Sequence, residues 1–120
     1  MSPLLYKLIH LLGVIMILVS LGGAILHAIN GGNREYGFRK QIGMIHGIGL
    51  LLALVGGFGM MAKFGYSYGD GWFISKVVIW VVLGGMLTFA AKKPEQGKMF
   101  WWLTILLGTL AAYFGLFKPF

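Results

Sequence analysis

Long apolar segments alternate with short polar segments along the whole chain. Each apolar segment holds roughly 20 residues, and a helix of that length, rising about 1.5 Å per residue, crosses the ~30 Å hydrocarbon core of a bilayer. Backbone groups in lipid must be hydrogen-bonded within their own segment, so the pattern predicts four transmembrane helices. Their expected limits are about residues 4–29, 42–62, 72–91 and 99–117.

The polar links between the apolar segments are short, which predicts the topology. Residues 30–33 (Asn-Gly-Gly-Asn) are turn formers that end the first helix, and residues 63–71 and 92–98 join the later helices. Long helices joined by short links must be antiparallel neighbours. We therefore expect an all-α membrane protein, a four-helix up-down bundle that occupies residues 1–120 as a single domain.

Composition supports the membrane interpretation. The chain is 58% hydrophobic and 11% charged, whereas a soluble domain carries about 25% charged residues. The first apolar segment is longer than the roughly 7–15 apolar residues of a signal peptide and is not followed by a small-residue cleavage pattern, so we expect it to be retained. The lack of cysteine excludes disulfides, thiol redox chemistry, iron–sulfur clusters and thiolate-ligated haem.

Basic residues outnumber acidic residues by ten to three, and their distribution predicts an orientation. The first and third links carry Arg34, Arg39, Lys40, Lys92, Lys93 and Lys98. The opposite side carries Lys7, Lys63 and Lys118. The positive-inside rule then places loops 1 and 3 in the cytoplasm and both termini outside, in a bacterial-type inner (plasma) membrane. The excess charge suits contact with the lipid bilayer and its anionic headgroups, and we expect no nucleic acid partner.

The twenty glycines have two interpretations. Gly43 and Gly47 have the small-xxx-small spacing of helix contacts. Other glycines within the apolar segments include Gly22, Gly23, Gly56, Gly57, Gly59, Gly84 and Gly85. They either allow close helix approach or make room for a flat cofactor, and the sequence leaves both interpretations open.

Four ionisable side chains lie within or at the edges of the apolar segments: His10, His27, His46 and Lys76. An ionisable residue in a span costs about 2.5–3.5 kcal/mol on insertion scales, which makes each a functional hypothesis. The topology predicts an outer layer with His10 and Lys76 and an inner layer with His27 and His46. His10 and His27 are about 25 Å apart along one helix, so they cannot share a metal ion. The alternative is that the histidines are interhelical hydrogen-bond partners and that Lys76 extends toward the headgroups.

The chemistry that these side chains suit is haem b. Neutral imidazole ligates haem iron, apolar helix faces hold the macrocycle, and lysine or arginine pairs with the propionates. The outer candidates are His10 as metal ligand and Lys76, Met60 or Met61 as second ligand or propionate partner. The inner candidates are His27 and His46 as metal ligands and Arg34, Arg39 and Lys40 as propionate partners.

Three segments of the chain resemble one family of membrane enzymes. They are YKLIHLLGVIMILVSLGGAILHA in helix 1, GWFISKVVIWVVLGG at the start of helix 3, and the terminal LFKPF. In this order they resemble the HemJ-type membrane protoporphyrinogen oxidases and their small relatives, and the likeness in layout covers most of the chain. The resemblance matches His10 and Lys76 to the family's essential histidine and lysine, which makes them the catalytic candidates.

The resemblance implies a haem-b redox protein that oxidises a porphyrin precursor and passes electrons to a quinone or the respiratory chain. This chain lacks the family's arginine in the second half of helix 1, its Tyr-His pair late in the lysine helix, and the polar cluster of its last helix. A protein that keeps the haem ligand without the substrate-handling groups fits these differences. We therefore expect electron transfer, with protoporphyrinogen oxidase activity as an oxidoreductase left open.

Two other classes of function remain open. A structural or accessory membrane subunit without cofactor would use the histidines for packing, so that His10→Ala and His46→Ala would change only stability. A small transporter is disfavoured because the apolar segments contain no Asp or Glu. The sequence does not determine the oligomeric state, and a homo-oligomer is open.

Overall fold

The computed structural model describes residues 2–33 and 36–119, which form four long α-helices. These are α1 (Pro3–Ile29), α2 (Arg39–Phe64), α3 (Gly71–Lys92) and α4 (Gly97–Phe117), with a 3₁₀ turn (Pro94–Gln96) before α4. All four are long and apolar enough to cross a membrane, and the predicted all-α four-helix membrane fold is confirmed. The helices extend up to three residues beyond their predicted limits, with the largest difference at the start of α2.

Local sequence explains where several helices begin and end. The Ser2 side chain accepts a hydrogen bond from the backbone N–H of Leu5, and Pro3 occupies the first helical turn, where its missing N–H costs nothing. α2 ends at Gly65, whose φ of 71° is in the left-handed region that glycine adopts without strain. These ends depend on neighbouring residues in the chain and not on contacts between helices.

The chain reverses direction at each link, so the bundle has two ends. What we call the termini end carries both chain termini and the link between α2 and α3. The two-loop end carries the other two links. Tyr6 lies against Gly59 and Ile42 lies against Gly23, which shows that α1 and α2 run in opposite directions. The membrane side on which each end lies stays a prediction.

α1 is the central helix of the bundle. It packs along most of its length against α2 and also contacts α3 and α4, whereas α2 and α4 do not touch within the described chain. The core is centred on Ile17, Leu21 and Ile25 of α1 and on Leu83 and Met86 of α3. The bundle is therefore flattened, with extents of 46 × 27 × 16 Å.

Large apolar side chains cover the outer surface of the helices. Val19, Leu51 and Val81 expose 67%, 59% and 59% of their surface. Apolar patches on this scale are unusual in soluble monomers and are expected where lipid replaces water. The surface thus agrees with a multi-pass membrane protein.

Candidate functional site

The closest helix contact is a seam between α1 and α2, called here the α1–α2 seam. A Cβ atom added to Gly13 would overlap the backbone of Ala53, and one added to Gly56 would lie 2.5 Å from the backbone nitrogen of His10. A Cβ atom on Gly49 would lie 2.8 Å from the Gly13 carbonyl oxygen. The two backbones are therefore in contact, so close approach, and not space for a flat cofactor, is the role of these glycines.

The small-xxx-small pair identified in the sequence does not take part in this contact. A Cβ atom on Gly43 or Gly47 would meet nothing within 4 Å. The residues of α2 that face α1 recur every three or four positions through Gly49, Ala53 and Gly56, and Gly43 and Gly47 fall on another face of the helix. The prediction that they mark a close contact is therefore wrong within this bundle.

His10 lies at the termini end of the α1–α2 seam. Its Nδ1 is 2.8 Å from the Ala53 carbonyl oxygen, which can only accept a hydrogen bond, so Nδ1 carries the proton and Nε2 carries the lone pair. Nε2 has no hydrogen bond within the described chain. Metal-binding histidines usually have this arrangement, in which a carbonyl holds the ring through one nitrogen and the second ring nitrogen is available for the metal.

Two lysines join His10 at this end of the bundle. Lys76 on α3 is half-buried, and its ammonium group lies within electrostatic range of the His10 ring and of the Lys118 ammonium group. A Cβ atom on Gly115 would lie 3.0 Å from Lys76 Nζ, so the glycine leaves space for the ammonium group. Lys118 Nζ donates a hydrogen bond to the Gly115 carbonyl at 2.6 Å. The structure thus brings His10 and Lys76 together and adds Lys118, which sequence reasoning missed.

Aromatic rings hold Lys118 in place. Its Nζ lies 5.3 Å from the centre of the Tyr66 ring and 5.1 Å from that of Trp72, within the range of cation–π attraction. The Trp72 indole N–H in turn donates to the Asp70 carboxylate at 3.3 Å. The link between α2 and α3, together with the first turn of α3, therefore fixes one of the two cations. Two features of the sequence could have indicated Lys118. It follows the last apolar segment, and the link between α2 and α3 is rich in aromatic residues.

His46 joins α2 to α3 in a reciprocal pair of hydrogen bonds with Trp80. His46 Nε2 is 3.2 Å from the Leu83 carbonyl oxygen on α3, and the Trp80 indole N–H donates to the Leu50 carbonyl of α2 at 3.0 Å. Each helix thus gives one ring N–H to a carbonyl of the other. His46 is only 4% exposed. Its proposed role as a metal ligand stays a prediction, while the structure shows it as an interhelical hydrogen-bond donor.

His27 occupies a different layer from His46, so the prediction that they lie at one depth is wrong. In the seam, Gly49 lies beside Ile17 and Gly23 lies beside Ile42, which places His46 two helical turns, about 10 Å, from His27. The reason is that α2 begins at Arg39, so His46 lies well inside its helix, whereas His27 lies near the end of α1.

His27 packs against the first link. Its Nε2 is 2.7 Å from the Asn33 carbonyl oxygen, and its ring lies 3.9 Å from the Tyr36 ring, centre to centre. Arg39, the first residue of α2, lines a cavity of about 320 Å³ beside these residues. Arg34 lies outside the described residues. Among the described inner candidates, His27, Arg39 and Lys40 line this cavity and His46 does not.

The donor set limits what the site can bind. Residues 2–33 and 36–119 contain no group of three His, Cys, Asp or Glu side chains placed to hold a metal ion together. A single imidazole with an open nitrogen suits instead a cofactor that brings its own equatorial ligands, as a porphyrin does. Met61, one of the predicted second ligands, is buried in the bundle.

The fold and these contacts define an α-helical multi-pass membrane protein. Comparison of the chain with family models, curated proteins and solved structures gives no match. The resemblance to the HemJ-type oxidases therefore stays a prediction from sequence.

Proposed function

We propose that the protein binds haem b through His10 at the termini end of the bundle and transfers electrons within the membrane. The observation that carries the proposal is the hydrogen bonding of the two ring nitrogens of His10. Its Nδ1 is held by the Ala53 carbonyl at 2.8 Å, and its Nε2 is open within the described chain. Neutral imidazole in this arrangement is a ligand of haem iron.

The charges near His10 suit the propionates of a haem. Lys76 and Lys118 both approach Gly115 and repel each other electrostatically. An anionic partner beside them would relieve this repulsion in a region of low dielectric constant. The Gly115 carbonyl and the Tyr66 and Trp72 rings already position Lys118, so the support for an anionic ligand is the unrelieved repulsion between the two ammonium groups.

The α1–α2 seam itself has no space for a macrocycle, because the backbones are in contact at Gly13 and Gly56. A haem on His10 must therefore lie outside this seam, against apolar side chains. When bound, haem supplies one-electron chemistry. The Ala53 carbonyl would orient the His10 imidazole toward the iron, and Lys76 and Lys118 would hold the propionates.

Electron transfer is favoured over oxidation of a porphyrinogen. The buried hydroxyl groups that could hold a polar substrate are engaged within their own helices. Ser20 donates to the Ile17 carbonyl at 2.9 Å, and Thr104 donates to the Phe100 carbonyl at 2.8 Å. A quinone or a respiratory-chain protein is the acceptor class that suits such a membrane redox subunit.

The test is an absorption spectrum of the detergent-purified protein, oxidised and then reduced with dithionite, with a pyridine haemochrome count. We expect a b-type spectrum and a single haem per chain, lost in His10→Ala. His46→Ala is the matched control, since it removes an imidazole from the neighbouring helix and should retain the haem. A colourless protein with full helical circular dichroism, even after reconstitution with haem, would contradict the proposal.

A second candidate function is a structural or accessory subunit without cofactor. The observation in its favour is that His27, His46 and Trp80, like His10, all use a ring nitrogen to bind a backbone carbonyl. In addition, no buried side-chain nitrogen or oxygen of the described residues lacks a hydrogen-bond partner. This function predicts that His10→Ala and His46→Ala both lower stability and that neither changes a spectrum, so the same two variants separate the candidates.

A further inference from the structure

A cavity of about 320 Å³ opens at the two-loop end, between the ends of α1, α2 and α3 and the first link. Its volume is at the lower limit of small-molecule pockets, about 300 Å³. It is also about ten times the liquid volume of a water molecule, so it is much larger than a single ion needs. The cavity thus has the size of a small polar group, such as a headgroup.

One wall of this cavity is held rigid by the first link. His27 contributes its ring, which is fixed by the Asn33 carbonyl at 2.7 Å and lies against the tilted Tyr36 ring. A Cβ atom on Gly32 would overlap the His27 ring, so the link packs directly on the imidazole. His27 therefore shapes the cavity.

The cavity is positively charged on one side and apolar on the other. Arg39 and Lys40, in the first turn of α2, supply two adjacent charges, and the N-terminus of a long helix adds a partial positive charge. Ala24, Leu87 and Ala91 form the apolar part. No carboxylate lines the cavity within residues 2–33 and 36–119. An anion with an apolar extension matches this distribution.

We propose that this cavity binds a phosphate ester, carried by an anionic phospholipid of the surrounding membrane. Arginine offers a planar pair of N–H donors that fits phosphate oxygens, and lysine adds a point charge. Basic pockets between transmembrane helices at the membrane surface are recognised sites for anionic headgroups. The site is about 25 Å along α1 from His10, so it is independent of the haem proposal.

The test is native mass spectrometry of the full chain, released from detergent that contains phosphatidylglycerol and phosphatidylcholine in equal amounts. We expect retention of one phosphatidylglycerol. The double variant Arg39→Gln/Lys40→Gln should weaken retention about a hundredfold, since each group removed is a charge-assisted hydrogen bond to the phosphate that contributes about a factor of ten. The control Lys92→Gln/Lys93→Gln removes the same charge from the same end but outside the cavity lining, and it should change retention less than about twofold.

A second variant tests the cavity without changing its charge. Gly43 lines the cavity, and a Cβ atom there would meet nothing within 4 Å. Gly43→Leu should therefore fold normally, fill part of the space and reduce lipid retention about tenfold. Circular dichroism confirms the folding of each variant.

The outcomes separate the alternatives. Equal losses in the two charge variants, or no loss in Gly43→Leu, would overturn the proposal, because binding would then depend only on general surface charge. Displacement of the lipid by millimolar inorganic phosphate, compared with chloride at the same ionic strength, would support phosphate recognition but identify a soluble phosphate as the ligand. Retention without displacement assigns the site to the phospholipid.

Discussion

α2 meets its two neighbours in opposite ways. Toward α1, glycines bring backbone against backbone, and a Cβ atom on Gly56 would lie 2.5 Å from the His10 backbone nitrogen. Toward α3, the bundle uses long side chains, and the rings of His46 and Trp80 each reach a carbonyl on the opposite helix. The same helix therefore makes one contact of small residues and one of polar rings.

This difference shows how helices associate in a bilayer, where apolar side chains gain nothing by leaving lipid for the surface of another helix. Close approach of small residues gains dispersion energy over a long contact, whereas a ring N–H gives one directed bond across a wider gap. The two histidines consequently have different surroundings. His10 donates through Nδ1 to the Ala53 carbonyl in the close contact, whereas His46 donates through Nε2 to the Leu83 carbonyl across the wide contact.

The largest effect is expected from a side chain placed in the close contact. Gly13→Val should lower the free energy of unfolding by about 3 kcal/mol or more, because its Cβ would overlap the Ala53 backbone. The matched control is Gly47→Val, whose Cβ meets nothing within 4 Å. Denaturation in SDS, followed by circular dichroism, measures both, and equal stabilities would show that the α1–α2 seam is not a rigid contact.

A smaller effect is expected in the wide contact. His46→Leu and Trp80→Phe each remove a ring N–H while keeping an apolar side chain. Each lost hydrogen bond should cost about 0.6 kcal/mol and at most about 1.7 kcal/mol, the mean and the maximum measured for hydrogen bonds between transmembrane helices. The double variant should show coupling, since both bonds join the same two helices. Additive costs would mean that the two bonds form independently. No cost in either variant would contradict the role assigned to His46.

The smallest effect is expected from Ser20→Ala. Ser20 is only 3% exposed and is level with His46 in the α1–α2 seam. Its hydroxyl nevertheless donates to the Ile17 carbonyl of its own helix at 2.9 Å, a bond that does not require α2. We expect a change below about 0.5 kcal/mol. A loss above about 1 kcal/mol in the same denaturation assay would show that this hydroxyl supports the helix contact.

Several features of the fold could be predicted from residues close together in the chain. Pro3 and Gly65 mark helix ends through their own backbone preferences, and the apolar runs were long enough to identify each span. The contact face of α2 was predicted less well. Gly43 and Gly47 have the spacing of a contact motif, but spacing alone does not specify which face of a helix a neighbour covers.

The candidate site shows the same limit. Ionisable residues in apolar segments identified His10 and Lys76, because charge is costly in lipid wherever it lies. Lys118 was overlooked because it follows the last apolar run, and only the folded chain places it beside Lys76 at Gly115. The cavity beside Arg39 was likewise invisible, since three helix ends and a link enclose it.

The sequence by itself determined four antiparallel helices of membrane-spanning length, because hydrophobic run length and short links leave no other solution. It also determined which side chains are chemically unusual in those helices. Only the tertiary structure decided what each imidazole does. The acceptor for His10 is the Ala53 carbonyl, and the acceptor for His46 is the Leu83 carbonyl. Both acceptors belong to another helix, so the choice of the nitrogen that remains open depends on packing and register.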